Sequence, residues 1–194
     1  LRCGVVICSD EIHCGLVLDT DKQHISLAAL DEALAARTIT LLAPSKTYNI
    51  PGLGCSLAVI PDKGLRSAFR KTMDGIVPHV NALGLVAALA AWRDSEDWRL
   101  ALLDYLRGNR DLLEQFILHT SGLKMTHVEA TYLAWIDCRT LPVDQPARFF
   151  EQAGVGLSDG ADFGAPGFVR LNFGCSRALL AEAIARIDRA VSRL

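Results

Sequence analysis

The stretch that decides the fold covers residues 38–54 and reads TITLLAPSKTYNIPGLG. Its first six residues carry mainly β-branched and aliphatic side chains, which predict a strand. The segment after them is rich in proline and glycine and predicts a turn. Lys46 lies in this turn, two residues after Pro44. Because open α/β sheets bind ligands just beyond the carboxyl ends of their strands, the turn is the first candidate for a functional segment.

The sequence on both sides of this stretch predicts a small sheet. Residues 4–8 form a short apolar run that is typical of a strand buried on both faces. Residues 26–37 have apolar side chains at helical spacing, with Ser26 as the expected N-cap. Strand, helix and strand form a βαβ unit, so the two strands should run parallel with their carboxyl ends at one edge. Residues 56–60 predict a third strand, which we expect to run antiparallel.

Downstream of the sheet the pattern becomes helical and then mixes helices with strands. Residues 77–92 are apolar nearly all round and predict a buried helix. Residues 95–120 predict an amphipathic helix with a break near the glycine and asparagine at 108–109. Further strand and helix patterns follow at residues 131–138, 145–154, 168–173 and 177–193.

A charged run at residues 93–97 predicts a domain boundary. It divides the chain into residues 1–95, with an α/β pattern, and residues 96–194, with an α+β pattern. At roughly 100–200 residues per domain, a chain of 194 residues has room for one large or two small domains.

Composition excludes several classes of function. The net charge is −2, from 20 Lys+Arg and 22 Asp+Glu, without the basic patch expected of a nucleic-acid-binding protein. The longest strongly apolar stretch, residues 82–91, is about half of the ~20 residues that cross a bilayer. The first residues do not read as a secretory signal. The six cysteines are therefore expected to be reduced thiols in the cytoplasm.

Two ionisable residues are expected to meet at the edge of the sheet. Lys46 follows the second strand, and Asp10 follows the first by two residues. A partly desolvated lysine has a lowered pKa and forms Schiff bases with carbonyl compounds. A carboxylate facing it suits pyridoxal phosphate, which acts as an electron sink while its ring nitrogen is protonated. A solvated turn lysine and an ordinary loop acid remain the alternatives.

Arg170 is a third candidate, within the strand predicted at residues 168–173. It shares a strand face with Phe168 and Asn172, while the neighbouring apolar residues face the other way. A guanidinium in this position is suited to bind a substrate carboxylate through two hydrogen bonds. An arginine exposed on an edge strand is the alternative.

Three motifs in this order resemble one family: SDEIHC at 9–14 followed by LVLD at 16–19, APSKTYNIPGL at 43–53, and FVRLNFGCSR at 168–177. Together they resemble the MalY/PatB-type cystathionine β-lyases, which are cysteine-S-conjugate β-lyases of the class I/II aminotransferase-like, fold-type I group. The resemblance implies that this chain corresponds to the carboxyl-terminal half. That half would hold the last strands of the large domain's mixed sheet, followed by an α+β small domain.

The resemblance also implies a cofactor, pyridoxal 5'-phosphate, and a role for each matching residue. Lys46 would be the lysine that binds the cofactor covalently and shuttles protons at the substrate. Asp10 would be the partner of the pyridine nitrogen, and Ser45 a phosphate contact. Arg170 would bind the α-carboxylate, and His13 would lie near the cofactor. The family further implies a cytoplasmic homodimer that converts cystathionine or cysteine S-conjugates to a thiol, pyruvate and ammonia.

Two positions depart from related patterns. Typical class I aminotransferases have an arginine shortly after the lysine, where this chain has Gly-Leu-Gly at 52–54, and this departure favours the lyases. Gly15 stands where an acid is expected after the His-Cys pair, so a loop contact should be lost. An aminotransferase that uses the same residues and a catalytically silent or regulatory relative remain the alternatives.

The other histidines and tryptophans are expected to be structural. No second cysteine or histidine pair supports a metal site near Cys8, His13 and Cys14. We expect ordinary polar or surface roles for the remaining histidines, and core positions for all three tryptophans. These residues are His24, His79, His119, His127, Trp92, Trp98 and Trp135.

Overall fold

The computed structural model describes residues 4–194. Cys3, one of the cysteines predicted to be reduced, lies outside this range. The chain forms two compact units, of which the first ends at Ala101 and the second runs from Leu102 to Leu194. Each unit contains its own sheet. The predicted fold class, an α/β part followed by an α+β part, is confirmed.

The first sheet has three strands, and its topology matches the prediction. β1 (Ile7–Asp10), β2 (Thr38–Leu42) and β3 (Leu57–Val59) lie in the order β1-β2-β3. β1 pairs with β2 in parallel, and β3 pairs with β2 in antiparallel. The carboxyl ends of β1 and β2 therefore lie at the same edge.

The position and burial of the first strand differ from the prediction. β1 begins at Ile7, which pairs with Thr38 at the start of β2 and donates its N–H to the carbonyl of Arg37. Val5 and Val6 precede this first pair and are exposed. Burial alternates along β1 rather than being complete. The expectation of a strand at 4–8 buried on both faces is therefore wrong, because pairing with β2 fixes where the strand begins.

The crossover between β1 and β2 is not the single helix predicted at 26–37. It consists of a 3₁₀ turn at Leu27–Ala29 and a short helix, α1 (Glu32–Ala35). Ser26 does not cap a helix, because its hydroxyl donates to the Glu11 carboxylate at 3.0 Å. Asp31 is the N-cap instead, and its side chain accepts from two backbone N–H groups of α1.

Two helices follow the first sheet. The sequence pattern did not predict α2 (Lys63–Met73), and it predicted that α3 (Ala82–Asp94) would be buried. Only a narrow stripe of small residues of α3 is buried, and Leu83 is 71% exposed. Trp92 and Trp98 are 43% and 46% exposed, so their predicted core positions are also wrong. An all-apolar sequence shows no preferred face, and only packing decides which side is covered.

The helix α4 (Glu96–Leu118) is continuous where a break was predicted. The side-chain amide of Asn109 donates to the carbonyls of Phe173 and Cys175, both at 2.9 Å. Gly108 leaves space for Arg177, since a Cβ at Gly108 would lie 2.4 Å from the guanidinium. Both residues therefore serve packing within the second unit and do not end the helix.

The second unit contains an antiparallel sheet and two further helices. The strands are β4 (Lys124–Met125), β5 (Leu133–Asp137), β6 (Ser158–Asp159) and β7 (Phe168–Asn172), in the order β4-β5-β7-β6. The helices are α5 (Pro146–Gln152) and α6 (Arg177–Val191). The patterns at 131–138, 145–154, 168–173 and 177–193 are thus confirmed as elements. Among the described residues, none of the helices is long and apolar enough to cross a membrane.

Candidate functional site

The candidate site begins at the edge where β1 and β2 end. Asp10 is the last residue of β1, pairs with Leu41 of β2 and is exposed. Its Oδ1 accepts the N–H of Ile12 at 3.3 Å, which turns the chain away from the strand. The carboxylate therefore lies at the edge where the turn after β2 also begins, as the last residue of β1 rather than two residues beyond the strand as predicted.

The turn after β2 exposes Lys46 and buries its neighbour. The N–H of Tyr48 donates to the carbonyl of Pro44 at 2.9 Å, and that of Ile50 to the carbonyl of Ser45 at 3.2 Å. Lys46 is exposed, whereas Thr47 is 4% exposed. Thr47 therefore anchors the turn, while the Lys46 side chain is exposed to solvent.

Gly15 brings the loop after β1 against this turn. A Cβ at position 15 would lie 2.8 Å from both Oγ1 and Cγ2 of Thr47, which is closer than a Cβ approaches other atoms. The carbonyl of Gly15 also accepts a hydrogen bond from Arg99 at 3.0 Å. The close approach of Thr47 therefore leaves no room for a side chain at position 15, where the sequence pattern led us to expect an acid.

Glu11 is a buried carboxylate for which the sequence pattern predicted no role. It is 6% exposed, and its oxygens accept from Ser9 at 2.9 Å, Ser26 at 3.0 Å and the N–H of Leu27 at 3.1 Å. His24 Nε2 lies 2.8 Å from its Oε2. Burial raises the pKa of this carboxyl, but the hydrogen bonds outweigh burial and lower the pKa below its ordinary value of 4.5.

A small cavity of about 190 Å³ lies beside the turn that carries Lys46, within the first unit. Tyr48 stacks on Trp98 with ring centroids 6.1 Å apart. Burial and the Glu11 charge raise the pKa of the Cys14 thiol, so this thiol stays protonated at neutral pH. The cavity is lined by Cys14, Gly15, Leu42, Ala43, Thr47, Tyr48, Trp92 and Arg99.

Arg170 lies in the second unit, in the middle of β7. Its cross-strand neighbours are Trp135 of β5 and Ser158 of β6, so β7 is an inner strand and the edge-strand alternative is wrong. The guanidinium donates from Nη2 to Ser158 Oγ at 3.3 Å and lies 4.6 Å from the ring centroid of Phe163. Asp10, His13, Ser45 and Lys46 all belong to the first unit.

The remaining residues considered for chemistry lie in the turn after β1 and on the second sheet. His13 is half-buried in the turn after β1, where its carbonyl accepts the N–H of Leu16. Residues 4–194 contain no group of three or more histidine, cysteine or acidic side chains placed to hold a metal ion. Trp135 is half-buried and stacks on Phe168, with ring centroids 5.6 Å apart.

Comparison with known proteins finds a matching family model and similar curated proteins. The family model described as aminotransferase class I and II matches residues 2–187. Cystathionine beta-lyase PatB of Bacillus subtilis (strain 168) is 34% identical over 199 residues, which cover 99% of this chain and 51% of that protein.

Two crystal structures are similar over nearly the whole chain. That of OvoB is 52% identical with a TM-score of 0.96, and the match covers 98% of this chain and 50% of that one. That of cystalysin from Treponema denticola, which contains a pyridoxal 5'-phosphate cofactor, is 30% identical with a TM-score of 0.91, covering 97% and 49%. The chain spans about half the length of the curated relatives it matches.

Proposed function

Because this chain belongs to the class I and II aminotransferase family, we propose that the protein it represents is a pyridoxal phosphate-dependent carbon–sulfur β-lyase. The proposed substrates are cystathionine or related cysteine S-conjugates. The observation that carries the proposal is the exposed Lys46 on the turn after β2, at the sheet edge where Asp10 ends the parallel strand β1. The similarity to cystathionine beta-lyase PatB over 99% of the chain supports the choice of reaction.

The donor set at this edge fits pyridoxal phosphate. Lys46 supplies an amine for the covalent bond to the cofactor, and Ser45 supplies a hydroxyl for the phosphate. Asp10 supplies a carboxylate that keeps a proton on the ring nitrogen, and His13 lies on the same loop. When bound, the cofactor accepts the electron pair that remains on the substrate's α-carbon after a proton leaves.

Arg170 and Lys46 have different proposed roles in the elimination. Arg170 binds the substrate's α-carboxylate through paired hydrogen bonds. Once the substrate's amino group has replaced it on the cofactor, the freed Lys46 amine would take the proton from the α-carbon, and the carbon–sulfur bond at the β-carbon would then break with departure of the thiolate. One water is consumed when the remaining fragment becomes pyruvate and ammonia.

We also propose a domain arrangement, an oligomeric state and a location for the protein. We place residues 1–95 at the end of the cofactor-binding large domain and residues 96–194 in the small domain. The holoenzyme is proposed to be a cytoplasmic homodimer. It takes a small amino-acid substrate and has no nucleic-acid or membrane partner.

Replacement of Lys46 by alanine tests the proposal directly. We expect Lys46→Ala in the protein that carries this chain to lose the visible absorbance of covalently bound cofactor and to lose pyruvate release from cystathionine. Lys71→Ala, which removes an exposed lysine of α2, is the matched control and should retain both. Retention of both signals by Lys46→Ala would overturn the assignment.

An aminotransferase reaction is the second candidate, because the family model bears that name. The two reactions differ in their products. Pyruvate and a free thiol formed from cystathionine without a 2-oxo acid support the lyase. Amino transfer that depends on an added 2-oxo acid, with no thiol released, supports the aminotransferase.

A further inference from the structure

Arg170 belongs to a row of aromatic and charged side chains on one face of the second sheet. Directly paired residues share a face, so Trp135 and Ser158 both flank Arg170. Trp135 stacks on Phe168 and meets the ring of Phe163 edge to face at 5.8 Å. The Phe163 ring in turn lies against the Arg170 guanidinium.

The two arginines at the ends of this row have different partners. Arg139 lies 4.8 Å from the Phe168 centroid and binds Asp137 through two hydrogen bonds, at 3.0 and 2.8 Å. Arg170 lies 4.6 Å from the Phe163 centroid but bonds the neutral hydroxyl of Ser158. Within residues 4–194, Arg170 takes part in no ion pair, so its charge is not neutralised by a carboxylate of this part of the chain.

We propose that Phe163 and Ser158 are positioning residues that hold the Arg170 guanidinium ready to bind a carboxylate; this inference rests on the proposed function and deepens it. A guanidinium has five N–H donors, and Ser158 engages one nitrogen. Cζ of Arg170 lies over the Phe163 ring, and this contact uses no N–H donor, so the remaining N–H groups stay available for a carboxylate. Restricting the side chain beforehand also lowers the entropy that binding costs.

The turn between β6 and β7 explains why Phe163 lies there. Asp159 caps this turn by accepting the N–H of Ala161 at 2.9 Å. A Cβ at Gly160 would lie 2.4 Å from the carbonyl of Ala165, so only glycine fits. Gly164 then takes a left-handed conformation, with φ of 77°, which returns the chain to β7. Phe163 is 52% exposed. Its contact with Arg170 is therefore not a consequence of packing into a hydrophobic core.

The test separates recognition of the carboxylate from general stability. The cofactor-loaded protein is titrated with L-alanine and with L-alaninamide, which lacks the carboxylate, and binding is followed by the change in visible absorbance. We expect Phe163→Leu to weaken binding of L-alanine about 5-fold, as for one exposed cation–π contact, and to leave L-alaninamide unchanged. Ser158→Ala should also weaken binding of L-alanine and leave L-alaninamide unchanged. Phe163→Tyr keeps the ring and should bind L-alanine as tightly as the unaltered protein.

A matched control and one further variant complete the experiment. Phe149→Leu removes a half-buried ring elsewhere in the second unit, 5.1 Å from Phe150, and should leave the ratio of the two affinities unchanged. Equal weakening of both ligands by Phe163→Leu would show a merely structural role and overturn the inference. If Arg170→Gln weakens L-alanine binding and Phe163→Leu does not, the positioning role fails and the proposed function stands. If Arg170→Gln has no effect, the assignment of Arg170 fails and the positioning role fails with it.

Discussion

At the scale of single residues, Glu11 shows how one buried carboxylate fixes the segment after β1. Its hydrogen bonds come from the strand, through Ser9, from the loop, through His24, and from the 3₁₀ turn, through Ser26 and the Leu27 N–H. A buried carboxylate is stable only when such donors replace water. Glu11 therefore holds together the crossover that follows Asp10.

Replacement of Glu11 by glutamine should destabilise the protein in a pH-dependent way. Because the pKa of Glu11 is lowered in the folded state, its carboxylate stabilises the fold above about pH 4.5, and this stabilisation is lost as the pH falls further. We expect Glu11→Gln to lower the free energy of unfolding by about 2 kcal/mol at pH 7, and by less at pH 3. Urea unfolding at both pH values measures the difference.

An exposed glutamate provides the control for this pH dependence. Glu151→Gln in α5 should change the free energy of unfolding by less than about 0.5 kcal/mol at either pH. A Glu11→Gln effect that is equal at pH 7 and pH 3 would contradict the proposed origin of the stabilisation.

The contact between Gly15 and Thr47 gives a second prediction at this scale. Gly15→Ala places a methyl group 2.8 Å from the buried Thr47 side chain, so we expect a loss of about 2 kcal/mol in the free energy of unfolding. The loss should be smaller when Thr47→Ala removes both contacting atoms. Urea unfolding of the two single variants and the double variant measures this coupling.

Gly52→Ala is the matched control, because nothing lies within 4 Å of a Cβ at that position. It should be close to neutral. A Gly15→Ala cost that is the same with Thr47 and with Ala at position 47 would show that backbone conformation, rather than the steric contact, requires glycine there.

At the scale of elements, α4 is tied to the end of β7 by one buried amide. Asn109 is 0% exposed, donates to the carbonyls of Phe173 and Cys175, and accepts from Arg177 Nε at 3.0 Å. We expect Asn109→Ala to lower the free energy of unfolding by about 3 kcal/mol, because two carbonyl acceptors lose their donor. Chemical unfolding monitored by circular dichroism measures the loss.

A substitution on the exposed side of the same helix tests whether that loss is specific. Gln115→Ala lies on α4 and should change stability by less than about 0.5 kcal/mol. If Asn109→Ala is no more destabilising than Gln115→Ala, the hydrogen bonds to the β7 end do not hold the helix.

At the scale of the whole molecule, the candidate residues are divided between the two units. Lys46 and Asp10 belong to the first unit, and Arg170 to the second. Substitutions in the two units should therefore affect different measurements. Under the proposed function, loss of Lys46 should remove the covalent cofactor signal, whereas loss of Arg170 should weaken only ligands that carry a carboxylate.

Local sequence patterns were enough to predict the parallel pairing of β1 and β2, most elements of the second unit, and the places of Lys46 and Arg170 in the fold. Parallel pairing of β1 and β2 follows from the strand–helix–strand pattern. Lys46 follows a strand that is visible as a β-branched run, whereas Asp10 ends β1 and Arg170 lies within β7. These features depend on residues close together in the chain, where local preferences are strong.

The folded structure alone set the start of β1, the division of the crossover, the burial of α3 and the continuity of α4. Each depends on a partner distant in the chain: Ser26 bonds Glu11 instead of capping a helix, and Asn109 bonds the end of β7. It also placed Phe163 against Arg170 and Gly15 against Thr47. Periodicity describes a single segment, whereas hydrogen bonds and steric contacts between distant segments exist only once the chain is folded.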